Sequence, residues 1–107
     1  MSLSKDQLAE IVRRLVAALS PRSIYLFGSH AGGLPRTDSD IDIMVIIEEK
    51  PTTIEHHQQG YASLRGIGLP VELHITPRSR FERFSEVIGS LPHEILRKGI
   101  LIYAAQA

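Results

Sequence analysis

Aspartates stand at positions 40 and 42, in Ser39-Asp40-Ile41-Asp42, at the head of the most apolar run in the chain, Ile43-Met44-Val45-Ile46-Ile47. In an extended strand alternate side chains share a face, so both carboxylates point one way while Ile41, Ile43, Val45 and Ile47 point the other. Two carboxylates roughly 6–7 Å apart along a strand repel each other unless water or a cation lies between them. Glu72 occupies a second alternating run, Val71-Glu72-Leu73-His74-Ile75, in which Glu72, His74 and Thr76 share a face. If the two strands are neighbours, Asp40, Asp42 and Glu72 converge on one side of a sheet. Three hard oxygen donors on rigid strands, in a chain without cysteine and without paired helical histidines, suit magnesium better than zinc. Taken alone, Asp-x-Asp is weak evidence, since such triplets more commonly are polar turn residues that lead into a buried strand.

Gly28-Ser29 shifts that balance. It directly follows an apolar run, Ile24-Tyr25-Leu26-Phe27, and can open a short helix over His30-Ala31-Gly32. Glycine lets a backbone approach closely, a serine hydroxyl can donate, and a helix start offers unpaired N–H groups to phosphate. An ordinary strand-to-loop turn would use the same dipeptide. The joint pattern carries more weight: strand, Gly-Ser, ten residues, Asp-Ile-Asp, then a long apolar strand.

The elements that must position these groups are readable from periodicity. Leu8, Ile11, Val12, Leu15, Val16 and Leu19 predict an amphipathic helix over 4–19, opened by a Ser4/Gln7 capping box and closed at Ser20-Pro21. Strands are expected at 23–27 and 40–47, the second in a central position. A polar helix over 53–65 carries Ile54, Tyr61 and Leu64 as a thin apolar stripe. A strand over 71–75 follows, and then Thr76-Pro77 as the cap and first turn of a helix running to Phe84. A helix at 91–98 stops at Gly99 before a last strand, 100–103. This order predicts an α+β fold, a mixed β-sheet of three to four strands with helices packed on it. Tyr61, Phe81, Phe84, Leu91, Ile95 and Ile100-Leu101-Ile102 are expected in the core, unless the last strand lies at an exposed edge where it can pair with another chain.

Composition narrows the function classes. The 107 residues hold 12 lysines and arginines against 12 aspartates and glutamates, a formal charge of zero. That balance argues against nucleic-acid binding by bulk charge and against a polybasic membrane anchor. No apolar stretch approaches the length of a membrane span, and the first residues lack the apolar core of a signal peptide. A single cytoplasmic domain over 1–107 is the expectation. His56 and His57 diverge by about 100° on a helix and cannot share a metal. Arg78, Arg80 and Arg83, with Glu82 among them, read as a solvated face.

Leu26-Phe27-Gly28-Ser29, the ten residues His30 to Ser39, and Asp40-Ile41-Asp42 together resemble the signature of minimal nucleotidyltransferases of the DNA polymerase beta-like superfamily. Glu72 in Val71-Glu72-Leu73 falls where that family carries a third carboxylate. The run from Thr76-Pro77 through Phe81-Glu82-Arg83 to Leu96-Arg97-Lys98-Gly99 is similar to the tails of its small members, so the resemblance covers about residues 5–103. Two departures stand out. Many small members have basic residues directly after Gly-Ser and two positions later, where this chain has His30 and Gly32, and their third carboxylate is more often aspartate.

The resemblance implies a nucleotidyltransferase fold and transfer of a nucleoside monophosphate, AMP from ATP by family habit, to a hydroxyl. It implies Asp40, Asp42 and Glu72 as catalytic residues holding Mg2+, with Gly28, Ser29, Arg36 and Ser39 binding the nucleotide. The chain has no recognisable acceptor-binding domain, which points to a surface borrowed from a partner or a second copy. Small members are often encoded beside an all-helical HEPN toxin, and some adenylylate it. The alternative implied by the same resemblance is a non-catalytic relative that neutralises such a toxin by contact.

Overall fold

Ser4 and Gln7 close a capping box at the start of α1 (Lys5–Leu19). The Gln7 N–H donates to Ser4 Oγ (3.0 Å) and the Ser4 N–H to Gln7 Oε1 (2.9 Å). The computed structural model describes residues 3–32, 40–48 and 54–106. After α1 come β1 (Ser23–Phe27), α2 (Ser29–Gly32), β2 (Ile41–Ile47), α3 (Ile54–Ser63), β3 (Val71–Pro77), α4 (Arg78–Phe84), α5 (Leu91–Lys98) and β4 (Ile100–Ala104). None of these helices is long and apolar enough to cross a membrane.

The strands form one mixed sheet in the order β3-β2-β1-β4. β2 runs antiparallel to β1 and parallel to β3, and β4 is antiparallel to β1 at the far edge. β2 is central, as its unbroken apolar run predicts, and both of its faces are covered. Ile41, Ile43, Val45 and Ile47 pack with Ile11 and Leu15 of α1, Ile24 and Leu26 of β1, and Leu73 and Ile75 of β3. On the opposite face Met44 and Ile46 meet Phe81 of α4 and Ile95 of α5, with Tyr25 and Phe27 alongside. Each of these buried side chains contributes roughly 1.5–3 kcal/mol. Asp42 lies on the second face, two residues before Met44, at the end of β2 where helical cover gives out.

Four expectations need correction. Thr76 and Pro77 continue β3, pairing with Ile46 and Ile47, so α4 starts one residue later, with Pro77 as a cap that makes no side-chain hydrogen bond. A parallel partner that extends to Ile47 outweighs the capping preference of threonine. α3 ends at Ser63, and its supposed stripe is not one: Ile54 is 74% exposed and only Leu64, beyond the helix, is buried. Tyr61 is half-exposed because its hydroxyl accepts the Leu73 N–H at 2.9 Å, covering the outer edge of β3. Leu91, Ile100 and Leu101 are exposed as well, the latter two because β4 is an edge strand.

Candidate functional site

The register of β2 decides which polar groups meet. Asp42 is the Cα partner of Phe27 on β1 and of Glu72 on β3, while Met44 is opposite His74. Asp42, Glu72 and His74 therefore share one face of the sheet, and one ligand atom from each lies within 4.8 Å of the others. His74 Nε2 is 3.7 Å from Glu72 Oε1. The His74 ring stands edge-on to Phe27, with centroids 5.2 Å apart and planes at 61°, so the aromatic at the end of β1 sets the imidazole's orientation.

Gly28 presses on this group from the other side. Its φ is +76°, and a Cβ on it would overlap Asp42 Oδ2. Only glycine satisfies both demands, a left-handed backbone and no side chain against the carboxylate. The Gly28 carbonyl then accepts the Ala31 N–H at 3.1 Å as α2 begins, which places Ser29 at the first position of that short helix.

The Asp42 carboxyl is pushed above its ordinary value, chiefly by burial and next by the charge of Glu72. Asp40 adds to the push and His74 opposes it. Crowding two carboxylates where one is partly desolvated is costly, and a divalent cation is the counter-charge that relieves it. The two carboxylates are hard oxygen donors of the kind that suits the magnesium the resemblance implies, whereas the imidazole is a donor better matched to metals such as zinc.

The sequence-predicted residues divide into three groups. Asp42, Glu72 and Gly28 are brought together. Asp40 is exposed, just ahead of β2; it acts on Asp42 through its charge but is not among the three grouped donors. Arg36 and Ser39 lie outside the described residues. His74, which alternation puts on the Glu72 face but which was not expected among the ligands, offers the third candidate ligand atom instead. The signal that could have promoted it is its spacing from Glu72, two residues along one strand face.

A mixed sheet that gathers acidic groups at its parallel pair, next to a glycine turn, defines a nucleotidyltransferase-type architecture. Residues 5–102 match the nucleotidyltransferase domain family, and the chain belongs to it. Among solved structures, a Sulfolobus solfataricus protein put forward as a nucleotidyltransferase superposes with a TM-score of 0.64 at 20% identity, over 92% of this chain and 78% of that one. A toxin–antitoxin structure with AMP-PNP gives 0.67 at 22% identity, over 92% and 73%. The spectinomycin adenyltransferase AAD(9) of Enterococcus faecialis, solved with ATP and spectinomycin, gives 0.69 at 20% identity. That match spans 97% of this chain but only 57% of the adenyltransferase. At such identities the likeness is one of fold. No curated protein matches the chain.

Proposed function

We propose that the chain transfers AMP from ATP to a hydroxyl on a partner protein, an all-helical toxin of the HEPN type. The observation that carries this reading is Gly28 seated against the Asp42 carboxylate, beside Glu72 on the neighbouring parallel strand. This brings a phosphate-binding turn and an acidic cation site into direct contact. Asp42 and Glu72, with Asp40, would hold magnesium, and His74 would fix the Glu72 carboxylate or join it. Magnesium bound there supplies counter-charge to the triphosphate and orients its α-phosphorus.

The chain's own groups do the rest. The Gly28 N–H and Ser29 hydroxyl donate to the β- and γ-phosphates, and the family resemblance adds Arg36 and Ser39 as further nucleotide-binding residues. Glu72 accepts the proton of the acceptor hydroxyl as its oxygen bonds to the α-phosphorus and the bond to pyrophosphate breaks. Positioning and charge stabilisation, without a covalent enzyme intermediate, account for the rate. The shared fold of a toxin–antitoxin structure that contains an ATP analogue supports both the donor and the kind of partner.

His30 and Gly32, where many small relatives carry basic residues, favour a second reading in which the domain neutralises its partner by contact alone. One experiment separates the two. The chain and an all-helical candidate partner of the HEPN type are incubated with α-labelled ATP and magnesium, using wild type and Asp42→Asn. Label on the partner with wild type only supports transfer. A partner neutralised equally by Asp42→Asn, with no label in either case, supports contact.

A further inference from the structure

The alternation that carries Glu72 into the site carries His74 there too, two residues along β3 and opposite Met44 of β2. A magnesium site built to the family resemblance is made of carboxylates alone. This chain gathers a different set. Asp42, Glu72 and the His74 imidazole each offer one atom within 4.8 Å of the other two, and Asp40 stays outside the group. An imidazole that binds a cation differs from one that only steadies a carboxylate in two respects. Its nitrogen stands at a distance from the other donors that one ion can span, and its ring is held in place without the ion.

His74 Nε2 lies 3.7 Å from Glu72 Oε1. That is too long for a hydrogen bond, which closes at about 2.7–3.2 Å. A shared ion suits it better, because two donors bonded to one zinc at about 2.0–2.1 Å, at the tetrahedral angle, stand about 3.3–3.4 Å apart. The Glu72 side chain is half-exposed and can turn by the small difference. Phe27 holds the imidazole edge-on at 5.2 Å, and Gly28 lacks the Cβ that would displace Asp42 Oδ2. The three donors thus stand on two paired strands, with their surroundings already fitted to them.

The geometry points to His74 as a ligand of the cation and to a site that selects zinc over magnesium. This rests on the nucleotidyl-transfer reading for the role of the ion, and adds to it the ion preferred and the residue that sets the preference. Magnesium favours oxygen donors in a near-ideal octahedron and gives up water reluctantly, so an imidazole adds little to its binding. Zinc takes nitrogen and oxygen together, and three protein donors with one open position are the arrangement of catalytic zinc. Asp42 and Glu72 serve either ion, and His74 discriminates between them.

Zinc and magnesium chlorides, titrated separately into the 15N-labelled chain, test this through imidazole 15N shifts and backbone amide shifts. Wild type and His74→Gln are compared. The chain has five histidines with separate ring signals, so zinc taken up elsewhere is recognised as such. His74 is partly exposed, so the variant is expected to fold, and its amide spectrum checks that. In wild type, zinc shifts His74 Nε2 together with the amides of Asp42 and Glu72, and magnesium shifts those amides alone. His74→Gln weakens zinc by about tenfold or more and magnesium by less than about threefold, because only zinc loses a favoured donor. The inference is overturned if zinc leaves His74 Nε2 unmoved or collects only at other histidines. It is also overturned if His74→Gln weakens both ions alike, the result for a residue that only positions Glu72. Magnesium bound at Asp42 and Glu72 with His74 unresponsive to zinc overturns the inference and leaves the transfer reading standing. No ion at that pair, with or without ATP, removes both.

Discussion

Replacing Gly28 with alanine tests the geometry of the site more directly than removing a ligand does. At φ +76° any L side chain is strained, at about 1–2 kcal/mol. Gly66 provides the internal reference. Its φ is +78°, and a Cβ there meets nothing within 4 Å. Gly66→Ala therefore carries the backbone strain alone, and for a domain of this size a loss of 1 kcal/mol lowers Tm by about 4 °C. In Gly28→Ala the new methyl also overlaps Asp42 Oδ2, so the carboxylate must leave its rotamer, adding about 0.5–1.5 kcal/mol. The expected total is about 1.5–3.5 kcal/mol, a Tm drop of about 6–14 °C. Displacement of Asp42 should also weaken Mn2+ binding, used as a spectroscopic stand-in for magnesium, by roughly 10- to 100-fold. Differential scanning calorimetry and Mn2+ titration by electron paramagnetic resonance read the two effects separately. If Gly28→Ala matches Gly66→Ala in both Tm and Mn2+ affinity, the contact between the turn and the carboxylate does not shape the site, and the reasoning fails.

Asp42→Asn is expected to raise Tm at neutral pH without metal and to abolish any Mn2+-induced increase. Folding lifts this carboxyl above 3.8, so the native state binds more protons than the unfolded state between 3.8 and the raised value; stability falls as pH rises through that window, and the amide escapes the loss. A lower Tm for the variant would contradict this. Tyr61→Phe deletes the acceptor for the Leu73 N–H; a loss of about 0.5–1.5 kcal/mol in urea unfolding and faster amide exchange at Leu73 should accompany it. The Glu10 carboxyl is held down to about 2 by hydrogen bonds from Arg13 and Arg14, so its contribution is present above 4.5 and fades as pH falls towards 2. Glu10→Gln should differ from wild type in Tm at pH 7 but converge with it near pH 2, and a difference that persists at pH 2 would point elsewhere.

Much of this architecture is legible from local pattern. The capping box at Ser4 and Gln7, the alternation in 41–47 and 71–75, and the glycines that punctuate the chain depend on neighbours only a few residues away, so periodicity finds them. The same alternation fixes which face of its own strand Asp42 and Glu72 each take, and the parallel register of β2 with β3 makes the two faces one. What escaped depends on the third dimension. Thr76-Pro77 has the chemistry of a helix start, and only the length of β2 reveals it as strand. Tyr61 looks like core until α3 is seen to bring its hydroxyl to the open edge of β3. His74 gains its place because Phe27, from a strand two positions across the sheet, holds its ring. Leu91 borders a cavity that exists only once α5 stands against the β1–α2 turn.

The parallel pairing of β2 with β3 has a kinetic consequence. Asp42 and Glu72 are thirty positions apart in the chain, and their strands can align side by side only through a crossover, which here includes α3. The antiparallel contact of β1 with β2 closes a shorter loop and can form without that crossover. Non-local pairing of this kind comes late in folding. A chain arrested with α1, β1 and β2 in place would display Asp42 and the glycine turn with half a cation site and no capacity to hold the ion. β3 is an edge strand, so fraying there parts Glu72 and His74 from Asp42 and also draws Leu73 and Ile75 out of the core. A cation that bridges Asp42 and Glu72 would clamp the last-formed seam of the molecule, and its binding energy would slow unfolding at that seam.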